Sequence, residues 1–206
     1  MYQLENVTKY LKKQMVLDHV SYTFKPGNIY GLYGRNGSGK TMLLRALAGL
    51  IKPTEGIVIA EGKELYKDVR FPSSIGILIE NMRMLPYLTA FENLKYLSSI
   101  KKVATEEDIK EVLEQVGLET QKDVKKFSLG MNQRLNIAQA VFEHPNLILL
   151  DEPMNALDEE GISLVYKLLK GERERGACIV IATHNKGDLQ ELCDEILHIK
   201  NGRLEL

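Results

Sequence analysis

Cysteine is scarce in this chain of 206 residues, with only Cys178 and Cys193 present. The two lack metal-site spacing, and neither has a catalytic base nearby in sequence. Cys178 lies in the apolar run Cys178–Ile179–Val180–Ile181, where a thiol behaves as a small hydrophobe. A disulfide scaffold is therefore excluded, and a reducing compartment is expected. An excess of either charge is also missing. Lys and Arg number 27 against 28 Asp and Glu, a formal net charge of −1, so no overall basic field would hold the chain to nucleic acid or to an anionic membrane. The one notable basic cluster, Lys122, Lys125 and Lys126, is interrupted by Asp123 and reads as a solvated helix face. No apolar run approaches the ~20 residues of a spanning helix. The opening MYQLENVTKY has no charged segment leading into an apolar stretch, so no signal peptide is expected. Repeats and low-complexity segments are absent too. Hydrophobic residues at 44% and charged residues at 27% describe a globular chain, long enough for one well-packed domain with a small inserted subdomain.

The hydrophobic pattern changes character twice. Val20, Tyr22 and Phe24 alternate with Ser21, Thr23 and Lys25, the period-two pattern of a half-buried antiparallel strand. After Pro26–Gly27–Asn28, the segment Ile29–Tyr33 reads as a short buried strand. Leu43, Leu44, Leu47 and Leu50 fall at helical spacing from Lys40, and Gly49, Pro53 and Gly56 end that helix. Strands are expected again at Gly56–Ala60 and Ser74–Ile79. From about Thr89 to Ala140 the pattern is helical, with capping-box spacing at Thr89 and Glu92, a second start at Thr105, and a stop at Gly117. Alternation returns with a strand at Leu147–Leu150, a helix from about Glu159 to Arg175 and a strand at Cys178–Thr183. Asp158 stands at the start of that helix and Gly176 beyond its end. A strand at Ile196–Lys200, an Asn201–Gly202 turn and a terminal strand close the chain. The expected fold is α/β: a core sheet with an N-terminal antiparallel β portion, interrupted by a helical insert. Residues 1–80 and 141–206 form the core, and 81–140 a helical insert.

Gly34-Arg35-Asn36-Gly37-Ser38-Gly39-Lys40-Thr41 matches the P-loop pattern between an apolar strand and an amphipathic helix. Its glycines let backbone N–H groups surround phosphate oxygens, and the following helix aims its positive end at them. Lys40 would reach the β- and γ-phosphates of a nucleotide, and Thr41 would place its hydroxyl on Mg²⁺. The loop and first helical turn, Gly34 through Met42, are the expected nucleotide contacts. Leu147-Ile148-Leu149-Leu150 ends in Asp151 and Glu152, a buried strand delivering charge at its C-terminal edge, where open α/β sheets put their chemistry. Asp151 fits a carboxylate that holds Mg²⁺ through water, and Glu152 one that polarises attacking water. Taken without the P-loop, the pair reads equally as a helix cap or a solvated loop.

These residues, followed by Pro153, by Asn155-Ala156-Leu157-Asp158 and by His184 after the strand, resemble the ATP-binding cassette family over nearly the whole chain. Most specific is Phe127-Ser128-Leu129-Gly130-Met131-Asn132-Gln133-Arg134, similar to the family's signature motif. It has Leu129 for the usual first glycine and Met131 for the usual glutamine, but keeps Ser128 and Gly130. The resemblance implies that Ser128 and Gly130 face the γ-phosphate of ATP on an opposite protomer; Ser128 alone reads as a helix N-cap. It implies that His184 donates a hydrogen bond to charge developing in the transition state, where a lone histidine would be structural. It implies that Tyr10 stacks on adenine, although packing serves a lone tyrosine equally well. The family's usual glutamine before the helical insert is Glu80 here, a further candidate for Mg²⁺ or the lytic water, with Asn81 the alternative if the register shifts by one. Glu80 with Ser-Leu-Gly-Met resembles the branch of bacitracin- and lantibiotic-type export ATPases.

The resemblance further implies ATP hydrolysis in a head-to-tail dimer with a second ATP-binding subunit, homodimer or heterodimer. It also implies a separate integral membrane permease, which would hold the chain at the cytoplasmic inner face of the membrane, and no nucleic acid partner. A soluble cassette ATPase of DNA repair or translation is the alternative; such proteins tend to carry coiled-coil insertions, a second cassette or basic surfaces, none of which occurs here. A binding module without turnover is a third reading, against which Lys40, Glu152 and His184 argue.

Overall fold

The computed structural model describes residues 1–80, 83–118 and 121–205. Asn81, the alternative to Glu80, lies outside them. The N-terminal β portion is an antiparallel sheet in the order β2-β1-β4-β5, built from β1 (Tyr2–Leu11), β2 (Gln14–Phe24), β4 (Glu55–Ala60) and β5 (Lys63–Glu64). The larger sheet runs β10-β9-β3-β8-β7-β6, from β3 (Ile29–Tyr33), β6 (Ile75–Leu78), β7 (Leu147–Asp151), β8 (Cys178–Thr183), β9 (Glu195–Lys200) and β10 (Arg203–Glu205). All its pairings are parallel except that of the edge strand β10.

The central strands are apolar throughout because both of their faces are covered. Leu147 and Leu149 of β7, with Cys178, Val180 and Ala182 of β8, pack in one core with α1 (Lys40–Leu47) and the antiparallel sheet. Ile148 and Leu150, with Ile179 and Ile181, pack in the other core with the helices α2 (Ala90–Lys101), α3 (Glu106–Gln115), α4 (Leu129–Val141) and α5 (Glu159–Glu174). Period-two alternation thus continues past the apolar run and turns Asp151 to the α1 side. The parallel strands point one way, so β3, β7 and β8 end on a common edge.

Local signals set the helix starts. Thr89 and Thr105 each close a capping box, with Glu92 and Asp108 respectively, and Asp158 accepts the Gly161 N–H at the head of α5. Leu50 departs from the expected helical stripe. The helix α1 ends at Leu47, Gly49 turns at φ 72°, and Leu50 is exposed. The lysine cluster departs as well. Asp123 bridges to Thr89 and a single 3-10 turn, Val124–Lys126, follows in place of a helix face. Lys125 pairs with Asp123 and stands over the Tyr87 ring. Two short elements, β5 and α6 (Lys186–Leu192), had no counterpart in the sequence pattern.

The helix α4 lies flush on the sheet at Gly76 of β6, where a Cβ would stand 1.6 Å from the Ala140 carbonyl oxygen. That oxygen belongs to backbone and cannot swing aside. Gly76→Ala is expected to destabilise the fold by about 3 kcal/mol or more, at the upper end of core overpacking, or to leave no folded protein. Urea denaturation checks it, and a midpoint equal to that of the wild type contradicts the packing.

Candidate functional site

Gly34 follows β3, and the loop it opens curls back on itself. Ser38 N–H donates to Arg35 O (3.1 Å), and Gly39 takes φ 112°, with Val16 O of β2 2.8 Å from where a Cβ would stand. Only glycine meets both conditions there. Lys40 is buried. Its Nζ donates to Gly34 O (2.7 Å) and Arg35 O (3.4 Å), and lies 3.8 Å from Glu152 Oε1. The ammonium is therefore held at the centre of the loop.

Several observations fit this loop to an anion. No side chain caps α1, so the N–H groups of its first turn have no intrahelical partner and no side-chain cap. The Ser38 hydroxyl is buried without a hydrogen-bond partner. Arg35, Asn36 and Gly37 are exposed, and a Cβ on Gly37 would meet nothing within 4 Å. A cavity of about 260 Å³ opens here, lined by Tyr33, Gly34, Arg35, Asn36 and His184. Met42 is partly buried and packs its side chain in the α1 core, so only its backbone N–H is available to a ligand.

The ends of β7 and β8 supply the other wall. Thr41 Oγ1 donates to Asp151 Oδ2 at 2.5 Å. Glu152 leaves the strand with φ 49°, a left-handed conformation uncommon for a side chain of this size, and its N–H donates to Ala182 O (2.7 Å). Its carboxylate accepts from Thr183 Oγ1 (2.7 Å) and from His184 N (3.2 Å), and lies 2.8 Å from His184 Nδ1. The structure thus brings Lys40, Thr41, Asp151, Glu152 and His184 together. Thr183 is a member of this network that sequence reading passed over, although it directly precedes His184.

The remaining candidates lie elsewhere. Tyr10 is exposed near the β1–β2 hairpin end, paired with Met15, one residue from the Val16 that abuts Gly39. Glu80, at φ 68° and exposed, is ion-paired with Arg45, which lies one turn beyond Thr41 on α1. Ser128 caps α4, accepting the Met131 N–H, and its hydrogen bonds stay within that helix. Gly130 faces Ala156 O, 2.9 Å from where a Cβ would stand. Within one chain, Ser128 and Gly130 are therefore engaged with α4 and the loop after Glu152. The Cys178 thiol is pushed up to about 12 by burial, which leaves it unreactive.

Burial raises the Asp151 carboxyl above its usual value of 3.8. The Thr41 hydroxyl bond opposes that shift and the neighbouring Glu152 charge adds to it. A group whose folded value is raised adds stability below its unfolded value and loses it as pH rises through the folded one. At neutral pH the ionised carboxylate is therefore a burden on the fold. Asp151→Asn keeps an acceptor for Thr41 and removes the charge. Without added nucleotide its thermal midpoint is expected above that of the wild type at neutral pH, with the gap closing as pH falls toward 3.8. Equal midpoints across that range contradict the assignment.

Comparison with known proteins agrees with this geometry. Residues 17–155 match the ABC transporter family. The chain is 56% identical to the ABC transporter ATP-binding protein YybJ of Bacillus subtilis (strain 168), over 100% of this chain and 95% of that one. It is 41% identical to the bacitracin transport ATP-binding protein BcrA of Bacillus licheniformis, over 97% of this chain and 66% of that one. The dimeric structure of MJ0796, a bacterial ABC transporter cassette, superimposes with a TM-score of 0.89 at 30% identity, covering 100% of this chain and 97% of that one. A P-loop beside a strand-end carboxylate pair, on a sheet shared with such cassettes, has one reading: the chain belongs to the ABC transporter family, as an ATP-binding subunit and ATPase.

Proposed function

We propose that two copies of this cassette, or this one and a related one, bind ATP head to tail between them, and that hydrolysis drives a separate membrane permease. The observation that carries this reading is a contrast between helix starts. The helices α2, α3, α5 and α6 each have an acidic residue in the first turn, and α1 and α4 have none. Carboxylates are favourable at helix N-termini, so leaving two of them free of acids suits anionic ligands. These are the helices of the P-loop and of Ser128. In this reading the chain's own P-loop holds the phosphates of one ATP. The Ser128 end of α4, with Ser128 exposed and Gly130 half-buried, meets the γ-phosphate of the ATP on the partner.

Within the chain, Gly34 through Met42 cradle the phosphates, Lys40 neutralises them, and Tyr10 stacks on adenine beside Gly39. Glu152 orients and polarises the attacking water, and His184 donates to the charge that develops on the γ-phosphate. Thr41 and Asp151 fit a Mg²⁺ ion: they are hard oxygen donors already paired, and Asp151 has no ion-pair partner among the described residues. No cluster of three ligating residues exists among those residues, as suits a metal held by one carboxylate and the phosphates. Bound there, Mg²⁺ would offset charge on the phosphate oxygens. Glu80, ion-paired with Arg45 through Oε1, is a further oxygen donor for the ion or the lytic water. No helix among the described residues is long and apolar enough to cross a membrane, so in this reading the chain sits on the inner face through its permease. The kinship with a bacitracin transport protein favours export.

Glu152→Gln keeps shape and hydrogen-bonding reach but loses the base. Turnover is expected to fall by roughly 10²–10⁴-fold with ATP binding retained, and an ATP-bound dimer should accumulate in sedimentation runs. Hydrolysis at the wild-type rate would move the water-polarising role to another residue.

A further inference from the structure

Glu152 is fixed from an unexpected direction. The Gln133 side chain reaches from α4 and its Nε2 donates to both Glu152 O (3.2 Å) and Pro153 O (2.9 Å). An amide NH₂ carries two donors, and here both serve successive carbonyls of one turn. The Glu152 backbone is thereby clamped on both sides of its Cα, its N–H on β8 through Ala182 O and its carbonyl on α4 through Gln133. Left-handed backbone is costly for a residue with a long side chain, and at Glu152 these bonds hold it in place. The direction of the Glu152 side chain follows from the backbone conformation those bonds fix.

A second contact ties the same loop to the same helix, since Ala156 O closes against Gly130. Gly130 and Gln133 are three residues apart in α4, less than one turn, so a rigid helix moves both together. Arg134, the next residue, donates to Val116 O (2.8 Å) and Gly117 O (3.3 Å) at the end of α3. The first turns of α4 therefore join the end of α3, the signature residues and the Glu152 turn.

We propose that Gln133 is a positioning residue that passes displacement of the Ser128 end of α4 to Glu152 of the same chain, so that nucleotide held by the partner governs hydrolysis in this one. The inference rests on the two-copy reading above. Gln133 touches no reacting atom; it acts by setting the backbone of the residue that does. A purely structural glutamine would affect stability alone, whereas a transmitting one affects rate and cooperativity while sparing the binding of nucleotide.

The test uses the full chain with Gln133→Met, which keeps length and loses both donors, and Gln133→Lys, which restores a donor. Expected for Gln133→Met is a fall in kcat of about tenfold, the scale of one net hydrogen bond, with KM within about twofold and the ATP cooperativity of the wild type lost. Gln133→Lys should recover part of the rate, and it keeps the proposal testable if Gln133→Met folds poorly. An unchanged kcat, a parallel rise in KM, or cooperativity retained at lower kcat overturns the proposal. A wild type that neither hydrolyses ATP nor dimerises in it fails before any variant is compared, and that result counts against the two-copy reading instead.

Discussion

Lys40 is a buried ammonium held by two loop carbonyls and, at 3.8 Å, by one carboxylate. Taking such a charge out of water costs several kcal/mol unless its donors are satisfied, and the parts that satisfy it come from separate elements. Gly34 comes from the end of β3, Lys40 from the first residue of α1 and Glu152 from the end of β7. The parallel alignment of β3, β8 and β7 is what lets these ends meet. The left-handed turn at Glu152 is what aims its carboxylate across that edge. A shift of β7 by one residue would exchange the faces of Leu149 and Leu150 and turn Asp151 away from Thr41.

The helices divide by the charge at their starts. Those opening on Glu92, Glu106, Glu159 or Asp188 satisfy their own N-termini. Helix α4 has a serine cap and no acid in its first turn, and α1 has neither an acid nor a side-chain cap. An N-terminus left uncapped, as at α1, is a ready anion site.

Much of this was legible in the chain. The P-loop spacing marks its own loop because glycine is needed where φ is positive and where backbone must approach phosphate. The capping residues Thr89, Thr105 and Asp158 act within three residues of themselves, so sequence alone identifies them. Leu50 misled because helical spacing carried the stripe past Gly49, a stop the sequence already marks and where the chain turns at φ 72°. Two-residue β5 and seven-residue α6 are too short to show a period. Contacts between residues far apart in the chain leave no pattern at all: Gln133 reaches Glu152 over 19 positions, and Arg45 reaches Glu80 over 35. Thr183 bridges 31 positions to the same carboxylate. The candidate residues could be read from motifs, whereas the bonds that orient them appear only when the chain is folded.

If the buried ammonium organises the site, deleting it should abolish ligand binding and leave the fold. Calorimetric titration of Lys40→Ala with Mg–ATP tests this directly, with circular dichroism confirming native secondary structure. The account predicts affinity weaker by about a hundredfold or more, the loss of a charge-assisted contact at the centre of a buried phosphate site. Affinity within a few-fold of the wild type, in a folded variant, would contradict it.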